Sequence, residues 1–109
     1  MTERHLGNVG SRVLFENERV RVWEMKLAPG ERSDVHRHDL DYLLVFLAGD
    51  RIRVEPEPDT QGPYTDELEF DVPVGHTVFV ERGGVETAVN AGSEHYREIL
   101  IELKDEHTA

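Results

Sequence analysis

Two histidines separated by one residue, His36 and His38, are the residues of this 109-residue chain whose types and spacing most directly suggest chemistry. Side chains on a β-strand alternate between its two faces, so a strand that carries His36-Arg37-His38 directs both imidazoles to the same side. A neutral imidazole offers a nitrogen lone pair to a divalent metal. The pair therefore predicts a metal site or a polar ligand site at the start of the apolar run 41–48.

The segments around this pair have the two-residue period of strands and almost no helical period. Strands are predicted at residues 12–16, 19–28, 33–38, 41–48, 51–55, 64–72, 76–80, 85–90 and 96–103. The run 41–48 is apolar enough to predict a strand buried on both faces, and Gly49-Asp50 predicts a hairpin turn after it. The proline-rich segment 56–63 is predicted to be a surface loop. Short strands separated by turns predict an all-β antiparallel sandwich or barrel.

Length and composition exclude several classes of protein. At 109 residues the chain is expected to form a single domain, 1–109, with a loose N-terminal arm at 1–10 and a frayed tail at 104–109. The 12 basic and 23 acidic residues give a net charge of −11, which argues against nucleic acid and anionic membrane surfaces as partners. The absence of cysteine excludes disulfides and thiolate ligands. Without a signal-like or membrane-spanning run, a cytoplasmic location is expected.

Two glycine-anchored spacings resemble the two motifs of the cupin superfamily. The first is matched by Gly30, His36, His38, Tyr42 and Gly49. The second is matched by Gly75, Glu81, Gly83, Glu86 and Asn90, with Glu81 at the usual proline. The resemblance covers residues 20–103. The chain is similar above all to small single-domain bacterial cupins, some of them labelled as β-alanine-degradation proteins. It implies a cupin-type antiparallel β-sandwich, or jelly-roll barrel.

The resemblance also implies a set of metal ligands. Metal-binding cupins hold a divalent cation with three histidines and one glutamate from these motif positions. Here His36 and His38 keep the ligand type, Tyr42 stands at the usual glutamate, and Glu86 stands at the usual third histidine. His36, His38 and Glu86 would form a two-histidine, one-carboxylate set that accepts Fe(II), Mn, Ni or Zn. Tyr42, four residues after His38 and on the same face, would be a catalytic proton donor or a substrate-orienting group.

The sequence is compatible with two functions. The first is a barrel-mouth pocket that binds a divalent metal and acts on a small polar or anionic metabolite. Dioxygenases, isomerases and decarboxylases share this fold, so the fold alone does not decide whether the protein is an enzyme. The alternative is a metal-free module that captures a small carboxylate or sugar-like ligand through His36, His38, Tyr42 and nearby arginines. Without a metal, Glu86 would be an exposed strand residue that faces Arg82 or Arg97. An exposed edge strand at 12–16 favours a homodimer in either case.

Several other side chains carry weaker expectations. His76 is expected to line the barrel as an extra donor, to be buried with its hydrogen bonds satisfied, or to lie at the rim. Asp39 and Asp41 would orient an imidazole or belong to a solvated turn. Asn90 is expected to be a structural hydrogen-bonding residue. The core or the pocket wall is expected to contain Trp23, Tyr42, Phe46 and Phe79. No chemical role is expected for the closing strand.

Overall fold

The computed structural model describes residues 4–105, which form two antiparallel sheets packed face to face. The strands are β1 (Arg12–Glu16), β2 (Val20–Leu27), β3 (His36–Arg37), β4 (Tyr42–Ala48), β5 (Arg51–Pro56), β6 (Leu68–Asp71), β7 (Thr77–Val80), β8 (Val85–Asn90) and β9 (Tyr96–Leu103). A five-stranded sheet has the order β1-β2-β9-β4-β7, and a four-stranded sheet has the order β3-β8-β5-β6. Residues 4–105 include no helix of the length and apolarity that crossing a membrane requires. The all-β prediction is confirmed.

The core lies between the two sheets because each strand turns alternate side chains inward. On β9 the residues that face the core are Tyr96, Glu98, Leu100 and Glu102, while the residues between them stay partly exposed. The other strands contribute buried residues to this core, among them Trp23, Met25, Leu27, Tyr42, Phe46, Ile52, Val80 and Ala88. This face holds the sheets together, since burial of apolar area is the main favourable contribution to folding.

The turn at Gly49-Asp50 carries the chain from one sheet to the other, so the predicted hairpin is wrong: β4 and β5 belong to different sheets. Gly49 has a φ of +130°, and a Cβ placed there would lie 2.9 Å from Cδ1 of Tyr96. The Asp50 carboxylate accepts hydrogen bonds from the backbone N–H groups of Arg51 and Ser93 at 3.0 and 3.1 Å. These contacts fix a crossing turn that local turn chemistry does not distinguish from a hairpin.

The glycines of the two motif spacings have a backbone role. Within residues 4–105, the residues with positive φ are Gly30, Gly49, Gly75 and Gly83. Positive φ is accessible to glycine at little cost and is strained for residues with a side chain. The motif spacing therefore marks the tight turns that place the strands, and the chemistry belongs to the residues between them.

Two predicted segments are arranged differently in the structure. The strand predicted at 33–38 is regular only over β3. The N-terminal arm is packed rather than loose over residues 4–10, because Val9 is 6% exposed and the Gly7 N–H donates to the Val35 carbonyl at 2.7 Å. At the other end, Lys104 N–H donates to the Arg19 carbonyl at 2.9 Å. The rest of the predicted arm and tail, residues 1–3 and 106–109, lies outside the described residues.

The outer face of the five-stranded sheet carries an apolar row. Residues directly opposite one another across its five strands are Phe15, Val22, Ile101, Leu43 and Phe79, which we call the outer row. Phe79 is 55% exposed and Leu47 of β4 is 37% exposed. The expectations that Phe79 is a core residue and that the 41–48 strand is buried on both faces are therefore wrong for the single chain. The inner face of β4 packs against the core, and its outer face is exposed to solvent.

Candidate metal centre

The pairing of two strands brings together three of the residues singled out in the sequence. His36 on β3 lies directly opposite Glu86 on β8, and opposed residues on neighbouring strands have adjacent side chains. His38 follows β3 and is held to the turn before β8: its N–H donates to Gly84 O, and its carbonyl accepts from Gly83 N–H, both at 2.8 Å. His38 and His36 therefore point to the same place as Glu86.

The donor atoms of these residues converge. Glu86 Oε2 lies 3.4 Å from His38 Nε2 and 3.9 Å from His36 Nε2. One ligand atom from each residue lies within 4.8 Å of the other two. A cation bonded to such atoms at about 2.1 Å would separate them by roughly 3 to 3.6 Å. Both imidazoles are 2% exposed, so the donors face the barrel interior. The spacing fits a divalent metal after small adjustments of side chains.

The protonation states suit metal binding. His36 Nδ1 lies 2.8 Å from the Asp34 carbonyl oxygen, so an Nδ1–H donates there and leaves the Nε2 lone pair free. Burial, and then the neighbouring charge of His38, lower the pKa of His36 and favour its neutral form. Burial opposes ionisation of Glu86, but the His38 hydrogen bond and the charges of both histidines lower its pKa overall. His36 thus offers a neutral nitrogen, and Glu86 offers an anionic oxygen.

His38 has one unsatisfied polar atom. Its Nδ1 is buried without a hydrogen-bond partner among residues 4–105. The His38 ring stacks on Tyr42, with centroids 4.1 Å apart and planes 20° apart. It also packs edge to face with the His36 ring, with centroids 4.9 Å apart. Packing by two rings, rather than hydrogen bonding at Nδ1, therefore fixes the orientation of this imidazole.

Tyr42 lies where the sequence predicts it, on the same face as His38. Burial raises the pKa of its phenol, and the charges of Glu86 and Glu98 raise it further. The hydroxyl therefore stays protonated at neutral pH. Tyr42 supplies an aromatic wall and a hydroxyl that can donate, in place of the anionic ligand that the resemblance associates with this position.

The two aspartates beside the histidines pair elsewhere, so the expectation that they orient an imidazole is wrong. Asp39 accepts from Arg37 Nε at 2.8 Å. Asp41 accepts from the backbone N–H of Arg82 at 2.9 Å and from its Nε at 3.1 Å. Both aspartates satisfy nearby arginines, and the backbone carbonyl of Asp34 orients His36 instead.

Glu86 does not face either of the arginines considered as alternatives. Arg82 pairs with Asp41 and with Asp105. Arg97 Nε lies 2.5 Å from Oε2 of the buried Glu24. The inward parity of Glu86 on β8 places its carboxylate between the sheets, out of reach of these surface cations.

Two further expectations concern His76 and Asn90. His76 is exposed just before β7 and does not line the interior as an extra donor. Asn90 is buried, and its Nδ2 donates to the carbonyls of Leu27 and Glu94 at 2.9 and 2.8 Å. Its Oδ1 accepts from Gly92 N–H at 2.9 Å. The expected structural role of Asn90 is confirmed.

Glu98 is a site residue that reading of the sequence missed. It is 6% exposed and lines a cavity of about 50 Å³ together with His36 and Glu86. The Tyr96 hydroxyl donates a hydrogen bond to Glu98 Oε1. Burial raises the pKa of Glu98 to about 7; the Tyr96 hydrogen bond opposes the rise, and the charge of Glu86 adds to it. The sequence feature that could have identified Glu98 is its alternation with Tyr96 and Leu100, which places it on the inward face of β9.

Comparison with solved structures shows the class of fold. The chain is similar to a cupin domain from Bordetella pertussis, with a TM-score of 0.75 and 24% identity over 96% of this chain and 100% of that one. A cupin superfamily protein from Desulfitobacterium hafniense matches with a TM-score of 0.63 and 19% identity, over 95% of this chain and 84% of the other. The chain therefore has the cupin fold, and the resemblance seen in its motifs is confirmed.

A more particular likeness comes from a curated protein. The chain is 29% identical over 93 residues to the β-alanine degradation protein BauB of Pseudomonas aeruginosa, a match that spans 84% of this chain and 90% of the relative. No protein-family model matches the chain.

Proposed function

We propose that this protein is a cupin that binds a divalent metal through His36, His38 and Glu86 and acts on a small polar or anionic metabolite. The observation that carries the proposal is the convergence of donor atoms from two buried imidazoles and one half-buried carboxylate at one point between the sheets. Two imidazoles and one carboxylate form a ligand set that Fe(II), Mn, Ni and Zn accept. A bound metal would supply Lewis-acid polarisation of a ligand oxygen.

The residues around this centre have separate tasks in the proposal. The Asp34 carbonyl holds His36 in the tautomer whose Nε2 can bind a metal. Tyr42 keeps its proton and donates a hydrogen bond to a ligand held beside His38. The name of the Pseudomonas relative assigns that protein to β-alanine degradation, and β-alanine is itself a small charged metabolite, which is compatible with this class of substrate.

Metal content tests the proposal directly. Protein purified without chelator is expected to hold close to one equivalent of a transition metal by elemental analysis, and His38→Ala and Glu86→Gln are each expected to lose at least 10-fold in affinity in calorimetric titration. His76→Ala is the matched control, since this histidine is exposed away from the centre. A wild-type protein that neither carries nor binds a stoichiometric metal would contradict the proposal and favour a metal-free binding module.

We also propose a homodimer formed through the outer row. The row crosses all five strands of the sheet, and its end residues Phe15 and Phe79 are 54% and 55% exposed. A continuous apolar stripe on the outside of a sheet favours association with a matching surface. Sedimentation at micromolar concentration should show a dimer for the wild type and for Val74→Glu, which lies off the row, and a monomer for Phe79→Glu. A monomeric wild type would refute the dimer.

A further inference from the structure

An apolar chamber of about 210 Å³ lies beside the candidate metal centre, between the edge strands β6 and β7. Its walls include Leu44, Val54, Leu68, Phe70, Val78 and Val80. Glu86 lines both this chamber and the smaller cavity next to His36. The chamber and the cavity at the metal centre therefore adjoin, and Glu86 forms part of the wall of each.

The chemistry of the chamber differs from that of the centre. Of the described side chains that line it, Glu86 is the one with a charge, and neither lysine nor arginine is among them. Tyr64 and Val78 at the rim are 48% and 39% exposed, so solvent reaches the apolar walls. Contact between apolar surface and water is unfavourable in free energy, and an apolar occupant of the chamber would remove that contact. A second anionic group would meet no counter-ion there, because the one charged side chain in the described lining is itself an anion.

We propose that this chamber binds the uncharged aliphatic chain of a ligand whose polar head group lies at the metal centre. The space corresponds to about seven water-sized groups at roughly 30 Å³ each, which suits a chain of about four to six carbon atoms. The substrate class is thus a short-chain amphiphile with a carboxylate, hydroxamate or similar oxygen head. The placement of the head rests on the proposed metal function, whereas the binding of the chain depends only on the chamber.

Other occupants fit the structure less well. The loop that precedes β6 is tied to the turn before β8: Gln61 N–H donates to Gly83 O, and Glu57 N–H donates to Val85 O, both at 2.8 Å. That loop borders the chamber through Tyr64 without filling it. The outer row, the surface proposed for a second copy of the chain, lies on the opposite face of the five-stranded sheet. A small ligand is the occupant that reaches both the chamber and Glu86.

A chain-length series tests the proposal. Acetohydroxamate, butyrohydroxamate and hexanohydroxamate share a metal-binding head, and each would be titrated calorimetrically into the Zn²⁺-loaded protein. Complete burial of one methylene corresponds to about a fourfold gain in affinity, so a gain of roughly two- to fourfold per methylene is expected in this partly open chamber. Equal affinity across the series would overturn the proposal.

Substitutions then locate the effect. Val78→Glu places a charge on the chamber wall and should remove the gain with chain length, measured as the ratio of hexanohydroxamate affinity to acetohydroxamate affinity within the same variant. Val78→Phe narrows the chamber and should weaken hexanohydroxamate more than butyrohydroxamate. Val74→Glu is the matched control, because Val74 is 54% exposed and does not line the chamber. A chain-length gain that survives in Val78→Glu would overturn the assignment.

A second series separates this proposal from the metal function. Ethanol, 1-butanol and 1-hexanol carry no metal-binding head and would be added to EDTA-treated protein while methyl NMR shifts are followed. Concentration-dependent shifts at Leu68 and Val78 that strengthen with chain length would support the chamber even if the protein binds no Zn²⁺. Absence of such shifts, or equal shifts for all three alcohols, would overturn the chamber whatever the metal result.

Discussion

The substitution Glu98→Gln tests the buried carboxyl group that lies between the sheets. Glutamine keeps the size of the side chain and an oxygen that can accept from the Tyr96 hydroxyl, but it cannot ionise. With its pKa raised to about 7 by burial, Glu98 holds a proton in the folded protein at pH values where the unfolded chain, near the ordinary 4.5, has released it. The free energy of unfolding must then depend on pH through this group.

The sign and size of that dependence follow from proton counting. Between pH 4.5 and about 7 the folded state binds more protons at Glu98 than the unfolded state, so stability falls as pH rises through this window and levels off above it. Each unit between the two pKa values corresponds to 1.36 kcal/mol, which gives about 3 kcal/mol in total. Glu98→Gln should therefore match wild type near pH 4.5 and be about 3 kcal/mol more stable than wild type at pH 8.

Urea unfolding provides the assay, at fixed protein concentration and with metal removed. The single tryptophan, Trp23, is 8% exposed and donates from Nε1 to Glu102 at 2.7 Å, so its fluorescence should report loss of the core. Subtracting wild type from variant at each pH largely cancels the titration of the other groups. Tyr96→Phe removes a hydrogen bond that favours ionised Glu98 and should extend the falling limb to higher pH. A difference that stays constant from pH 4.5 to 8 would refute the reasoning.

Three further substitutions test the packing that positions the site, with urea unfolding as the measurement. Leu100→Ala, at a residue 2% exposed on β9, should cost about 2–5 kcal/mol, and a loss below about 1 kcal/mol would contradict its core position. Asn90→Ala removes the amide that donates to two backbone carbonyls and should cost about 2–4 kcal/mol, whereas a neutral result would show that water replaces the amide. Gly49→Ala requires a side chain at a φ of +130° and 2.9 Å from Tyr96, so we expect a loss of at least about 1 kcal/mol, and unchanged stability would mean that the turn relaxes freely.

Strand character was accessible from the sequence because it is a local property. Alternation along 19–28 placed Trp23, Met25 and Leu27 on one face, and the structure buries all three. The glycine spacing was informative for a similar reason, since Gly30, Gly49, Gly75 and Gly83 each adopt a positive φ that few other residues tolerate. Periodicity and turn chemistry are set within a few residues, so a single sequence displays them.

The assignment of strands to sheets was not accessible in the same way. A Gly-Asp turn after an apolar strand suits a hairpin, yet β4 and β5 lie in different sheets. The difference depends on Tyr96, which crowds Gly49, and on Ser93, which donates to Asp50. Both residues are more than forty positions away along the chain, so their contacts exist only after the sheets have packed.

The candidate metal centre combines the two kinds of information. His-x-His on a strand predicts two imidazoles on one side, and the cupin resemblance adds Glu86; the tertiary structure decides that Glu86 pairs across from His36 and not with an arginine. Only the tertiary structure brings Glu98 into the cavity that His36 and Glu86 line, because β9, which carries Glu98, and β3 lie in different sheets. The sequence determined which faces carry the chemistry, and the packing of two sheets decided which faces meet, since such long-range pairing depends on the whole core.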